Sequence, residues 1–360
     1  MTIATLEPTT IDPSKLEAFV GQALGELGAT LNAALVVMGD QLGLYRAMAG
    51  AGPVTAAELS QRTGAAERYV REWLNAQAAG GYVAYDADGG TYTLPPEHAV
   101  CLTDDTSPYF LPGAYQLFTA SVRDEPSITE AARTGTGFGW GQHSQGVFDG
   151  CERFFRPGYA ANLIAAWIPA LDGVETKLQA GARVLDLGCG HGASTILMAK
   201  AYPKSQFVGV DAHAGSIATA RERAIEAGLD GRVRFDVASA KDAAGEDYDL
   251  AASFDSLHDM GDPVGAARHV RAALAPDGTW LIVEPFANDR VEDNLNPIGR
   301  IYYAASTLLC TPSSLSQEVG LALGAQAGER RLREVVLEGG FTRFRRATET
   351  PFNLILEARP

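Results

Sequence analysis

The chain has 360 residues, enough for two domains and a sizeable core. Its 44 acidic residues against 29 lysines and arginines leave a net charge of −15, which disfavours nucleic acid and anionic membranes as partners. No secretory leader, no bilayer-length apolar run and no metal or disulfide spacing among Cys101, Cys151, Cys189 and Cys310 is read, so the expectation is a soluble cytoplasmic protein without a metal.

Residues 1 to about 12 carry no element, and a helix is expected after Asp12-Pro13. AALVVMGDQLGLYRAMAG (33–50) reads as one apolar helix ending at glycine. TAAELSQRTG opens on a capping-box pattern, Thr55 with Glu58, and stops at Gly64. The next helix groups Ala66, Tyr69, Val70, Trp73 and Leu74 on one face. YVAYDADGGTYTL reads as a hairpin turning at Asp88-Gly89-Gly90. Three helices and a hairpin make a winged-helix domain over 1–105.

From 106 to 180 the chain reads as broken helix. TGTGFGWGQHSQG interrupts it with five glycines among aromatics, as a lid or as a plain linker; Gly139 and Gly141 flank Trp140 and are the candidate hinges. From 181 to 360 strands (VLDL, FVGVD, VRFDV, YDLAASFD, WLIVEP) alternate with helices, the pattern of a doubly wound α/β parallel sheet. An insertion over about 286–327 follows the fifth strand. The last two strand-like runs are joined so closely that they must be antiparallel.

The glycine loop VLDLGCGHGAST follows the first strand. Gly188, Gly190 and Ala193 fit the dinucleotide pattern G-x-G-x-x-G/A, and Asp211 lies where a ribose-binding acid belongs, so NAD fits this loop taken alone. The strand ends argue otherwise: Asp186, Asp211, Asp236, Asp255 and Glu284 close five successive strands, where an open α/β sheet binds its ligand. A ring of carboxylates repels a pyrophosphate and suits a cation, although helix capping accounts for one or two of them.

VLDLGCGHGAST, FVGVDAH and VRFDVASA together resemble the cofactor motifs of class I S-adenosylmethionine-dependent methyltransferases. The whole chain is similar to bacterial winged-helix methyltransferases and, in layout, to plant caffeate-type O-methyltransferases. The resemblance implies S-adenosylmethionine as cofactor. It places Asp186 near the methionine end, Gly188, Cys189, Gly190 and Gly192 in the loop, and Asp211, Ala212 and His213 at the ribose. Asp236 and Val237 would flank the adenine, with Phe254 and Asp255 at the next strand end.

Methyl transfer asks the protein to align the acceptor and, for a weakly acidic hydroxyl, to remove its proton. FDSLHDMGDP follows the fourth strand, and His258 resembles the base in the family's H-D-W-S-D segment, with Met260 where the tryptophan stands. Glu284 resembles the glutamate that orients that base, and Asp259 is expected to cap the next helix. Trp140, His143, Tyr302 and Tyr303 are the candidate lining for a small-molecule acceptor. With four arginines and no lysine against nine acids over 31–105, the winged helix is expected to pair two subunits into a homodimer. The main reading is methyl transfer to a hydroxyl of a small molecule; the alternatives are an N-, S- or C-methyltransferase of the same fold and a cofactor-sensing winged-helix DNA-binding regulator.

Overall fold

The computed structural model describes residues 11–229 and 231–360, so the expectation for the first dozen residues falls almost wholly outside the described residues. The chain divides into two units, residues 1–104 and 105–360.

In the first unit, α1 (Pro13–Gln41) begins at Asp12, whose carboxylate accepts from the Ser14 amide. The expected 33–50 helix is in fact split. α1 already contains its first half, Gly43 turns the backbone left-handed (φ 67°), and α2 (Leu44–Met48) restarts. α1 is also long and apolar enough to cross a membrane by length and composition alone, which corrects the expectation that no such run exists. α3 (Ala56–Thr63) has both halves of its capping box: Glu58 N donates to Thr55 Oγ1 at 3.2 Å and Thr55 N to Glu58 Oε2 at 2.7 Å. α4 (Glu67–Ala79) buries Val70, Trp73, Leu74 and Gln77, while Tyr69 is exposed, because the buried stripe lies one position further round than the aromatic residues suggest. Trp73 lies so close to α1 that a Cβ on Gly39 would sit 2.5 Å from its ring. The wing is β1 (Ala84–Asp86) antiparallel to β2 (Thr91–Thr93), and α5 (Pro96–Thr103) follows.

The second unit opens with α6 (Pro112–Ser121), α7 (Glu125–Thr134), α8 (Gln145–Asn162), a π-helical turn Leu163–Trp167 and α9 (Val174–Ala180). Then β3 (Arg183–Leu187), α10 (Ala193–Ala201), β4 (Gln206–Asp211), α11 (Ala214–Glu226), β5 (Val233–Val237), β6 (Tyr248–Phe254), α12 (Pro263–Ala273) and β7 (Leu274–Pro285) alternate as expected. The insertion holds α13 (Pro297–Ala305), a π-helical turn Ser306–Cys310 and α14 (Thr311–Leu315). α15 (Gly328–Glu338), β8 (Arg343–Glu349) and β9 (Asn353–Arg359) finish the chain.

The seven strands run in the order β5-β4-β3-β6-β7-β9-β8. β5 to β7 are parallel, and β9 enters antiparallel between β7 and β8. Alternation sends successive residues to opposite faces. Val184, Leu281 and Val283 enter one core with Leu163, Trp167 and Phe207. Leu185, Trp280 and Ile282 enter the other with Val270 and Val336. Strand order reverses between β3 and β6, and in an open α/β sheet the crevice at that point is where a ligand binds.

Candidate active site

A cavity of about 650 Å³ lies in the second unit, at the carboxyl ends of β3, β4 and β6. Its floor is the loop Gly188–His191. Gly188 (φ 71°) and Gly190 (φ 53°) are left-handed, a conformation that favours glycine. A Cβ on Gly190 would meet nothing within 4 Å, so bare backbone faces open space there. Gly192 does a different job: its missing side chain makes room for Phe235, which a Cβ would approach to 2.7 Å.

The expected ring of five strand-end acids is corrected, because only Asp211 and Asp255 of the five line the cavity. Asp211 accepts from Gly190 N (3.0 Å) and His213 N (2.8 Å), which fixes the loop against β4. Asp255, left-handed at φ 48°, accepts from the Tyr159 hydroxyl (2.8 Å) and Asn353 Nδ2 (3.0 Å). Burial, reinforced by the charge of Glu284, pushes its carboxyl up to about 7. Asp236 pairs instead with Arg234 at 2.8 Å, and Val237 is exposed; Ala238 to Asp242 form that edge of the wall. His213 caps α11 and stacks on Phe148, 4.2 Å between ring centres, so neither it nor Gly192 lines the cavity. Cys189, Ala212 and Phe254 do.

Asp186 lies beneath the loop, almost fully buried. Its Oδ2 accepts from Ser194 Oγ and Thr195 Oγ1, each at 2.6 Å, while its Oδ1 is buried without a hydrogen-bond partner. Desolvation pushes its carboxyl up to about 6 against the lowering effect of those two hydroxyls. An unpaired buried carboxylate oxygen and a glycine opening onto space fit a cationic ligand, the type expected here.

His258, on the turn Leu257–Asp259 after β6, lines the opposite wall. Its Nδ1 is 2.5 Å from Glu284 Oε2, and Glu284 Oε1 accepts from Leu257 N at 3.0 Å. The carboxylate therefore fixes both the ring and the turn that carries it. Asp259 does not cap the next helix: it turns inward, Oδ1 3.3 Å from His258 Nε2, and Asp262 caps α12 through Gly265 N (2.7 Å). Burial opposes charge on His258, but Glu284 and Asp259 outweigh it and hold the imidazole well above its ordinary range.

Of the acceptor residues expected from the sequence, Trp140 and Tyr302 line the cavity; Tyr302 donates to Phe352 O at 2.9 Å. His143 is buried against Asp124 (2.7 Å), and Tyr303 is half-buried away from the lining. The sequence reading missed the wall that α8 supplies, Phe148, Cys151, Phe154, Phe155 and Tyr159. Their helical spacing was the available signal, and it reads equally as core. Around the expected hinges, Gly139 and Gly141 have ordinary negative φ and Gly135 is left-handed, and Phe138 N donates to Pro312 O at 2.9 Å.

Residues 30–104 match the family described as Rv2258c-like winged HTH domain, and residues 178–318 match a methyltransferase domain family. Trans-aconitate 2-methyltransferase of Paracidovorax citrulli is 37% identical over 111 residues, 31% of this chain and 42% of that protein. Ubiquinone biosynthesis O-methyltransferase of Bordetella pertussis is 33% identical over 134 residues, 36% of this chain and 52% of that protein. The matches thus span about half the length of these relatives or less. Among solved structures, mitomycin 7-O-methyltransferase MmcR superposes with TM-score 0.70 at 20% identity, covering 97% of this chain and 100% of that one. Human N-acetylserotonin methyltransferase in complex with SAM gives 0.70 at 16%, covering 98% and 99%. At these identities the likeness establishes the fold, a winged helix ahead of a methyltransferase sheet.

Proposed function

We propose that this chain, which joins a winged helix-turn-helix domain to a methyltransferase domain, transfers a methyl group from S-adenosylmethionine to an oxygen of a small-molecule acceptor. The observation that carries the reading is His258, clamped by Glu284 at 2.5 Å on the wall of a cavity whose floor is a glycine loop. When bound, S-adenosylmethionine supplies a methyl group activated by a sulfonium. Asp186, Gly188, Gly190, Asp211 and Ala212 would hold it. The aromatic wall of α8, with Trp140 and Tyr302, would orient the acceptor and exclude water. In its neutral form His258 would take the acceptor's proton at Nε2, and the carboxylates of Glu284 and Asp259, which raise its proton affinity, stabilise the imidazolium that results. The matched O-methyltransferase relatives support oxygen as the acceptor atom.

In this reading the protein works in the cytoplasm as a homodimer. Free thiols at Cys101, Cys151, Cys189 and Cys310 suit a reducing compartment. The exposed apolar residues of α1 suit a second copy. Duplex DNA is disfavoured as a partner, because Arg68 and Arg71 on α4 are each ion-paired to a glutamate one turn away.

The test is incubation with methyl-labelled cofactor and a panel of phenols, amines and thiols, scored by mass shift. Transfer to a hydroxyl supports the reading, and transfer confined to amines or thiols moves the acceptor atom. His258→Ala should lower turnover about 10²–10⁴-fold with cofactor affinity nearly intact. An unchanged rate would remove His258 from the chemistry.

A further inference from the structure

Sequence spacing gives no metal site, but the fold assembles one from two distant segments. His258 and Asp259 come from the turn after β6, and Cys310 ends the π-helical turn that follows α13. Their ligand atoms, an imidazole nitrogen, a carboxylate oxygen and a thiol sulfur, all lie within 4.8 Å of one another. We propose that His258, Asp259 and Cys310 form a three-ligand site for a thiophilic divalent cation of the zinc class, opening onto the acceptor cavity.

Three features support the assignment. The donor set is one imidazole, one thiol and one carboxylate, which favours zinc over magnesium or calcium, whose preferred ligands are oxygens. Glu284 binds His258 at Nδ1, 2.5 Å away, and so leaves Nε2 turned toward Asp259 and Cys310. A carboxylate behind a metal-bound imidazole is the usual outer partner of such a site. Asp259 Oδ1, the oxygen facing this cluster, is buried; it lies 3.3 Å from His258 Nε2 without well-aligned hydrogen-bond geometry, so a desolvated carboxylate oxygen already faces the other two ligand atoms. All three residues line the cavity, which leaves a fourth position open to it, the arrangement of zinc sites that exchange a ligand.

Binding has a proton balance. Cysteine binds a metal as the thiolate and histidine as the neutral imidazole, so the metal must displace the thiol proton of Cys310 and any proton on His258 Nε2 as its bonds form. The bound cation occupies the nitrogen lone pair that would otherwise take the acceptor's proton. Zinc therefore acts as a reversible inhibitor that competes with the acceptor and leaves the cofactor loop free. That consequence rests on the proposed chemistry, whereas binding of the ion does not.

The full-length protein, reduced and chelator-treated, is titrated with cadmium as a spectroscopic stand-in, reading the thiolate-to-cadmium absorption band. Expected is saturation at one ion per chain, reversal by zinc, and no band in Cys310→Ser. Binding of S-adenosylhomocysteine by that variant serves as the check on its fold. Asp259→Asn, which keeps the thiol and the side-chain size, should weaken the ion about tenfold or more. An undiminished band in Cys310→Ser, no band in the wild type, or unchanged affinity in Asp259→Asn overturns the site. None of these readouts needs a methyl acceptor, so failure here and failure of the methyltransferase reading are separable.

Discussion

Asp186 carries the most direct pH dependence. Its carboxyl is raised from 3.8 to about 6, so across that window the unfolded chain sheds the proton first. The ligand-free fold loses stability there as pH rises. A cation bound beside the carboxylate reverses the preference. Affinity for S-adenosylmethionine should therefore climb with pH through about 6, with Asp255 and Asp211, whose carboxyls are also raised by burial, extending the rise toward neutrality. Calorimetry at about pH 5 and about pH 7.5 checks this, with Asp186→Asn expected to be shallower and roughly 10–100-fold weaker. A flat wild-type profile would contradict it. At this scale the sequence exposed what local geometry decides: Gly188, Gly190 and Asp211 sit in one motif and meet directly, Gly190 N on the Asp211 carboxylate. It misread residues whose partners are distant. Gly192 serves Phe235, His213 stacks on Phe148, and two acids three residues apart, Asp259 and Asp262, divide into cluster and cap only once the loop has a path.

The elements that build the acceptor side are held by close backbone approaches. A Cβ on Gly137 would fall 2.0 Å from Ser316 N, so the loop between α7 and α8 rests directly on the end of α14. Gly137→Ala should lift that loop, with Trp140, off the cavity. The expected result is a raised KM for the acceptor with little change in cofactor affinity; unchanged kinetics would make the loop a passive connection. Hydrogen exchange across 134–146 should slow further when cofactor and acceptor are both bound. In the winged helix, Gly39→Ala should cost about 1–3 kcal/mol in chemical denaturation, because its Cβ would meet both Trp73 and Tyr45. The central strands were legible in place, VLDL falling inside β3, since a parallel strand buried on both faces writes a short apolar run, whereas β7 begins at Leu274, ahead of the expected WLIVEP. The α8 wall was not legible: lining a cavity and packing a core need the same aromatic residues at the same helical spacing.

For the whole molecule, the chain's charge and α1 make opposite demands. A net charge of −15 keeps copies apart, whereas Leu16, Phe19, Val20, Leu24, Leu27 and Leu31 expose one apolar flank of α1. Residues three, four and seven apart share a helix face, so a second α1 can cover the stripe by twofold symmetry. Light scattering should give twice the chain mass, with Leu24→Glu and Leu27→Glu together returning one chain mass. A wild-type monomer that binds vesicles would assign the stripe to a membrane. A monomer that retards duplex DNA at low salt would favour a regulator. The central claim, that the glycine-loop cavity takes a sulfonium cofactor, is tested most directly by calorimetry of the full chain. S-adenosylmethionine and its demethylated product should both bind at one per chain, and NAD should not. Tight binding of NAD with no binding of S-adenosylmethionine would contradict the account.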